Sequence, residues 1–363
     1  MLSVIAVNYN SSLLLKECFS SIVSTIGDED VEFIVVDSGS REEDVAWLLN
    51  LKGDNVKIIL SRENIGYAKA VNRGIKNADG DLILITNPDV VYMPDSIKIM
   101  ANALLELSQC GAVGPKAWWN KKMTFLLPIN ELVIPYRIFM MELARVSQTM
   151  NNAILKRWIK KTLKYWLSVK PMRQEMLSGA CIMTTRKILD RVGGFDDSFP
   201  LYFEDTDWSL RVRKAGYQLY TVPQAHIIHY YNQSAKQEIG VSSRKFNESS
   251  EKYLRKHFGE GQLSLLRLFM RFMKARTIIH AVYEERGILT TPPAFTFKDV
   301  SKKLFLLSPV DLMIPSAGSF FEGNSFVIPE DLWALLGEGR YYAKVVDLKH
   351  FHDCGSWQWT KKA

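Results

Sequence analysis

Short apolar runs alternate with segments of helical spacing through the first third of the chain. Leu2–Val7 reads as a buried strand, and Leu13–Ile26 carries apolar residues at helical intervals. Phe33–Val36 and Val56–Leu60 read as the second and third strands, Gly66–Asn77 as a helix, and Leu82–Thr86 as a fourth strand. Apolar runs without polar alternation suit strands covered on both faces. The expected class is therefore α/β, with a mainly parallel central sheet and helices on both sides. The alternation resumes at Ala112–Gly114 and Gly179–Thr184, then a helix from about Glu204 to Ala215 ends at Gly216, its expected C-cap.

Two stretches depart from this rhythm. Within the insertion Met123–Arg173, Ile154, Leu155, Trp158, Ile159, Leu163, Trp166 and Leu167 recur at helical spacing, with Arg157, Lys160, Lys161 and Lys164 on the opposite face. That pattern suits an interfacial helix on an anionic membrane and equally a surface helix packed on its own domain. A second basic apolar stretch, Leu263–Ala281, carries Arg267, Arg271, Lys274 and Arg276, and there the packed reading is favoured. Thr290-Thr-Pro-Pro293 is the best linker signal. The expected division is a main domain over 1–289 and a small aromatic-rich extension over 290–363. The main domain comprises parts at about 1–116 and 174–235, the basic amphipathic insertion at about 123–173, and C-terminal helices to 289.

Composition narrows the class. With 363 residues, 47% of them hydrophobic and 23% charged, the chain excludes disorder and coiled coil as its dominant state. No apolar stretch has the length of a membrane span, and the apolar run directly after Met1 reads as a first strand and not as a secretion signal. Cys18, Cys110, Cys181 and Cys354 are scattered without a CxxC, which points to neither a disulfide framework nor a zinc knuckle, and to a reducing cytoplasm. Lys and Arg number 46 against 39 acids, a net charge of +7, which implies an anionic partner. The basic residues accompany apolar helix faces and not stacking aromatics on a sheet, which argues against nucleic acid.

Ligands of open parallel sheets bind at the carboxyl ends of the strands. After the first strand stands Asn8-Tyr-Asn10-Ser11, where a dinucleotide fold would carry GxGxxG, so a nicotinamide enzyme is disfavoured. Asp37-Ser-Gly-Ser40 offers a carboxylate that either reads the imide of a pyrimidine base or stabilises a turn. Asn64-Ile-Gly66 opens a helix whose N–H groups can face an anion. Asn87-Pro-Asp89 follows the fourth strand, suited to a cation bridging a diphosphate or to a plain turn. Glu204, Asp205 and Asp207 fall in the first turn of a helix, as dipole partners or with one of them as a general base. His229 stands just past another strand, either structural or a metal ligand.

The ordered set Val7–Ser11, Val35–Ser40, Glu63–Gly66 with Asn72-Arg-Gly74, Asn87–Val90, Ser178-Gly-Ala180, Gly193–Asp196 and Phe203–Trp208 resembles family 2 glycosyltransferases, most closely the bacterial rhamnosyltransferase-like branch, over about residues 1–235. The resemblance implies a GT-A fold that binds a nucleoside-diphosphate sugar over about 1–116, with the acceptor and catalytic part over about 174–235. It implies Asp205 as catalytic base and Asp89 and His229 as ligands of Mg2+ or Mn2+. Asn8, Asn10, Asp37, Asn64, Gly66, Asn72 and Asn87 become donor-site residues, and Gly179, Ala180, Glu204, Asp207 and Trp208 active-site neighbours. Asn87 departs from the family's metal-binding DxD motif by replacing its first acid, and Ser38 replaces the more usual Asn or Asp. The implied activity is inverting transfer of a sugar, L-rhamnose from dTDP-rhamnose first, to a hydroxyl of a lipid-linked saccharide. It would serve cell-surface polysaccharide such as O-antigen, from the cytoplasmic side of an anionic membrane as a peripheral enzyme. The alternatives are a UDP-hexose or UDP-N-acetylhexosamine transferase, or a carbohydrate- or nucleotide-binding module without turnover.

Overall fold

The computed structural model describes residues 1–26, 30–51, 53–230, 239–274 and 282–362. The chain forms two compact units. The first comprises Met1–Lys116, Asn130–Val133 and Ser168–His257, the second Ala117–Ile129, Ile134–Leu167 and Phe258–Ala363. This differs from the expected division. The amphipathic insertion belongs with the C-terminal part of the chain, and the Pro-rich stretch near 290 lies inside the second unit.

The elements follow in chain order as β1 (Leu2–Asn8), α1 (Ser12–Ile26), β2 (Val31–Ser38), α2 (Glu42–Leu49), β3 (Val56–Ser61) and α3 (Tyr67–Asn77). Next come β4 (Leu82–Thr86), β5 (Val90–Tyr92), α4 (Ser96–Glu106) and β6 (Cys110–Trp118). The insertion supplies α5 (Pro135–Val146) and α6 (Gln148–Trp166). Then follow β7 (Met172–Gln174), β8 (Cys181–Thr185), α7 (Arg186–Val192), α8 (Glu204–Lys214), β9 (Gln218–His229) and α9 (Ile239–Lys274), which breaks its helical geometry at Gly259.

The sheet of the first unit runs β3-β2-β1-β4-β8-β6-β9-β5 among the described residues, with β7 on β9. Its parallel part is β3-β2-β1-β4, and the β4-β8, β8-β6, β9-β5 and β7-β9 ladders are antiparallel. Every residue of β1 and β2 is buried, as the unbroken apolar runs require. Ile5, Val36, Ile85, Ile182, Trp208 and Val212 belong to one core cluster joining the sheet to its helices. Helix α3 comes so close to the sheet that a Cβ on Gly74 would stand 2.3 Å from Ile5 Cγ2.

The second unit holds a five-stranded sheet built from β10 (Glu284–Leu289), β12 (Lys302–Ser308), β13 (Ala317–Glu322), β15 (Gly339–Asp347) and β16 (Asp353–Lys361). A two-stranded pair, β11 (Ala294–Thr296) with β14 (Ser325–Val327), and helix α10 (Glu330–Leu335) complete it. Phe295, Phe305, Trp357 and Trp359 form its aromatic core. Here the reading of α6 is decided. Leu155, Trp158, Ile159, Leu163 and Trp166 are buried, Trp166 Nε1 donates to Leu127 O at 2.8 Å, and its ring meets Phe320 edge-on. The apolar face expected at a membrane is occupied by the unit itself, so the packed reading holds for this helix.

Gly74→Ala is expected to lower stability by about 1–3 kcal/mol, since the added methyl can fit only by moving a buried isoleucine. Urea denaturation followed by far-UV circular dichroism measures this.

Candidate active site

Strand register assembles the first half of the site. β1 and β2 pair with Asn8 opposite Asp37. Asn8 Nδ2 consequently donates to Asp37 Oδ1 at 2.8 Å and to Ser40 Oγ at 3.1 Å. Asp37 Oδ2 accepts the Gly39 and Ser40 N–H groups at 3.1 and 3.0 Å, so this buried carboxylate organises the turn after β2. Gly39 lies at φ +74°, and a Cβ there would stand 2.4 Å from the Glu63 carbonyl carbon. Only glycine lets the two loops approach so closely. Across that contact Ser38 Oγ donates to Asn64 Oδ1 at 3.2 Å and accepts the Ile65 N–H at 3.0 Å. Gly66, at φ +81°, donates its N–H to Asn64 Oδ1 and precedes α3. Asn10 Oδ1 accepts the Arg41 N–H at 2.9 Å. Asn8, Asn10, Asp37, Asn64 and Gly66 thus share one group of hydrogen-bonded loops.

The second half comes from the antiparallel strands. Thr86 pairs with Cys181 across β4 and β8, and the ladder continues as Asn87 N–H donates to Ala180 O at 2.9 Å. Gly179 N–H then donates to Asp205 Oδ2 at 2.8 Å. From Asn87 the chain passes to β5, whose pairing with β9 sets Val90 opposite His229. Tyr230 N–H donates to Asp89 O at 3.1 Å, and His229 Nε2 lies 3.4 Å from Asp89 Oδ1.

The acids act on a common neighbour. Tyr67 Oη donates to Gly179 O at 2.9 Å. Burial first, then the charges of Glu204, Asp205 and Asp89, push that hydroxyl well above its ordinary pKa. Burial, with Asp205 adding, also pushes Glu204 up. Burial raises Asp205, against the pull of hydrogen bonds from Gly179 N–H, from Thr206 N–H at 2.6 Å and from Thr206 Oγ1 at 3.2 Å. Asn87 Oδ1 and Glu204 Oε2 are buried with no hydrogen-bond partner among the described residues. Just before Glu204, Tyr202 and Phe203 take left-handed φ angles of 66° and 68°. Such backbone costs about 1–3 kcal/mol per residue and persists only where the surroundings impose it.

Three expected site residues have other duties. Asn72 uses both ends of its amide on one residue, donating to Phe195 O at 2.7 Å and accepting the Phe195 N–H at 2.9 Å. It clamps the loop ahead of α8 and is corrected from donor contact to loop support. Asp207, fully buried, pairs with Arg211, Lys256 and His257 at 2.6–2.7 Å. Trp208 is fully buried, with Nε1 donating to Gly193 O at 3.0 Å. Both hold α8 in place from within the core and are corrected from active-site neighbours to supports.

The sequence profile of "Glycosyl transferase family 2" matches residues 3–163. Residues 3–163 therefore form a family 2 glycosyltransferase domain. It is 27% identical over 247 residues to "N-acetylglucosaminyl-diphospho-decaprenol L-rhamnosyltransferase" of Mycobacterium tuberculosis, covering 63% of this chain and 76% of that protein. It is 23% identical over 257 residues to "Low-salt glycan biosynthesis hexosyltransferase Agl10" of Haloferax volcanii, covering 70% and 72%. The mannosyltransferase PcManGT of Pyrobaculum calidifontis, solved with GDP-Man and Mn2+, superposes over 77% of this chain and 76% of its own at 18% identity. The TM-score is 0.40. The α/β architecture is of the GT-A type, and the protein is a glycosyltransferase.

Sequence reasoning missed three residues of this glycosyltransferase: Tyr67, Thr206 and His257. Tyr67 had a usable signal, since it follows Gly66 directly and so begins α3 beside the loops. His257 had none, being 50 residues beyond Asp207 in the chain.

The raised Glu204 carries a prediction. Its native form holds a proton more tightly than the unfolded chain does, so its stabilising contribution is complete below the ordinary carboxylate range. That contribution is lost as pH rises through the raised native value. Glu204→Gln, which mimics the protonated acid, should show a shallower fall in melting temperature than the unsubstituted protein between about pH 5 and about pH 8. Parallel curves would mean that Glu204 is ionised throughout.

Proposed function

We propose that the enzyme transfers a sugar from a nucleoside diphosphate to an acceptor hydroxyl with inversion, using Asp205 as general base and a divalent cation at Asp89. The observation that carries the reading is the convergence at Gly179-Ala180, where Gly179 N–H donates to Asp205, Gly179 O accepts from Tyr67 and Ala180 O accepts the Asn87 N–H two residues before Asp89. Asp89, with His229 Nε2 3.4 Å away and the unpartnered side-chain oxygen of Asn87 two residues before it, fits Mg2+ or Mn2+, because such cations take one or two protein carboxylates and complete their shell with substrate phosphates and water. When bound, the cation offsets the negative charge that develops on the departing diphosphate.

In this reading Asp205, oriented by Gly179 N–H and Thr206, accepts the acceptor's proton as that oxygen bonds to the anomeric carbon. The bond from that carbon to the diphosphate breaks on the opposite face. Glu204, carrying a proton, keeps a second negative charge from facing Asp205. Asn8, Asn10, Asp37, Asn64 and Gly66 frame the donor pocket, where Asp37 would meet the base through the rim of its loop. The mycobacterial relative's name supports L-rhamnose as the first donor to test, ahead of UDP-hexose and UDP-N-acetylhexosamine, and a lipid-linked saccharide as acceptor.

No helix among the described residues is long and apolar enough to cross a membrane. A lipid-linked acceptor then calls for surface contact, and α9 is the better candidate for it than α6. Leu265, Leu268 and Phe272 are 68%, 66% and 57% exposed there, with Arg267 and Arg271 between them. Apolar side chains interleaved with basic ones suit an anionic interface.

Asp205→Asn should keep donor binding and lose transfer by about 10²–10⁴-fold. A radiolabelled-sugar transfer assay with Mn2+, run alongside donor titration calorimetry, reads both, and proton NMR of the product reads the anomeric configuration. Near-normal turnover in that variant, or a retained anomer, overturns the mechanism. Separately, Leu268→Glu should weaken co-sedimentation with anionic vesicles at low salt while circular dichroism stays unchanged. Equal pelleting would remove α9 from membrane contact.

A further inference from the structure

The hairpin between β15 and β16 gathers donor atoms that the transferase chemistry does not use. One oxygen of Asp347 and one ring nitrogen each of His350 and His352 lie within 4.8 Å of one another. We propose that Asp347, His350 and His352 form a second metal site, of the kind that takes Zn2+, in the C-terminal unit.

The distances favour a shared ion over direct pairing. His350 Nδ1 and His352 Nδ1 lie 3.3 and 3.7 Å from Asp347 Oδ1. Charge-assisted hydrogen bonds are shorter, about 2.7–2.9 Å. Ligands of tetrahedral zinc bond at about 2.0–2.2 Å, which sets neighbouring donors roughly 3.4 Å apart. The pair of separations is close to that edge length.

The surroundings hold the donors as metal ligands are usually held. Asp347 is buried, its Oδ2 accepts from Ser301 Oγ at 2.6 Å, and its Oδ1 accepts the Lys349 and His350 N–H groups at 3.0 and 2.7 Å. His352 turns its other ring nitrogen, Nε2, toward Cys354 Sγ at 3.6 Å, the outer contact that fixes a ligating ring. Between the histidines, Phe351 takes a left-handed φ of 55°, and the turn leaves both rings 53–64% exposed, open to an arriving ion and to water as the remaining ligand. An imidazole-carboxylate set of this kind suits zinc over calcium or magnesium, which prefer oxygen alone.

The test is zinc titration calorimetry on the full chain, on Asp89→Asn, and on the double variant His350→Gln/His352→Gln. One equivalent of Zn2+ should bind to the full chain and to Asp89→Asn, and the affinity should fall at least about 10-fold in the double variant. A companion measurement needs no substitution: diethylpyrocarbonate labelling of His350 and His352, read by mass spectrometry, should drop in the unsubstituted chain when Zn2+ is added. Identical titrations for the full chain and the double variant, or labelling unchanged by zinc, overturn the site. Loss of binding in Asp89→Asn alone assigns the zinc to the transferase centre and also overturns it.

Discussion

Three carboxyl groups withdrawn from water in one neighbourhood set the terms for the rest of the first unit. Asp89, Glu204 and Asp205 all act on the Tyr67 hydroxyl, and carboxylates so placed resist sharing their charge. The protein answers in a different way for each. Asp205 receives donors from Gly179 and Thr206, Glu204 is pushed toward its neutral form, and Asp89 lies beside His229. A site held in this condition favours a cationic or proton-donating guest. That is the electrostatic setting a transferase needs when a diphosphate leaves and a hydroxyl loses its proton.

The sheet's change from parallel to antiparallel makes that gathering possible. β1, β2 and β4 deliver Asn8, Asp37 and Asn87 at their carboxyl ends, as parallel strands do. β8 then enters beside β4 in the opposite direction, so its beginning, Gly179-Ala180, meets the end of β4. β5, although it follows β4 at once in the chain, pairs at the far end of the strand order with β9. One short turn, Asn87-Pro88-Asp89, therefore links a donor to Ala180 at one end with the neighbour of His229 at the other. Asn72, Asp207 and Trp208 support this arrangement from behind by fixing Phe195 and α8.

Much of this was legible along the chain because the signals are local. The apolar runs at Leu2–Val7 and Phe33–Val36 need cover on both faces whatever the fold, and they became buried parallel strands. Gly216 ends α8 because a left-handed residue is wanted there. The motif residues Asp37, Asn87 and Asp89 lie where strand-end logic places them, since a strand's end is a position in the sequence as well as in space. Residue type alone was a poorer guide to duty. Asn72 and Asp207 carry the same groups as Asn64 and Asp205, yet they bond to Phe195 and to Arg211, Lys256 and His257 and not to the strand-end loops.

Periodicity and motif order were enough to establish the α/β class and the family 2 resemblance, because each depends on spacing within a few residues or on a small set of strand ends. Partnership was decided only by folding. Which face of α6 is covered, which carboxylate is paired by Lys256 and His257, and which oxygens are left without a donor all depend on contacts between residues far apart in the chain. Burial is the physical reason. An amphipathic helix or a carboxylate reads identically in a sequence whether it meets water, a membrane or the interior, and only the packed structure fixes the surroundings that determine its energy.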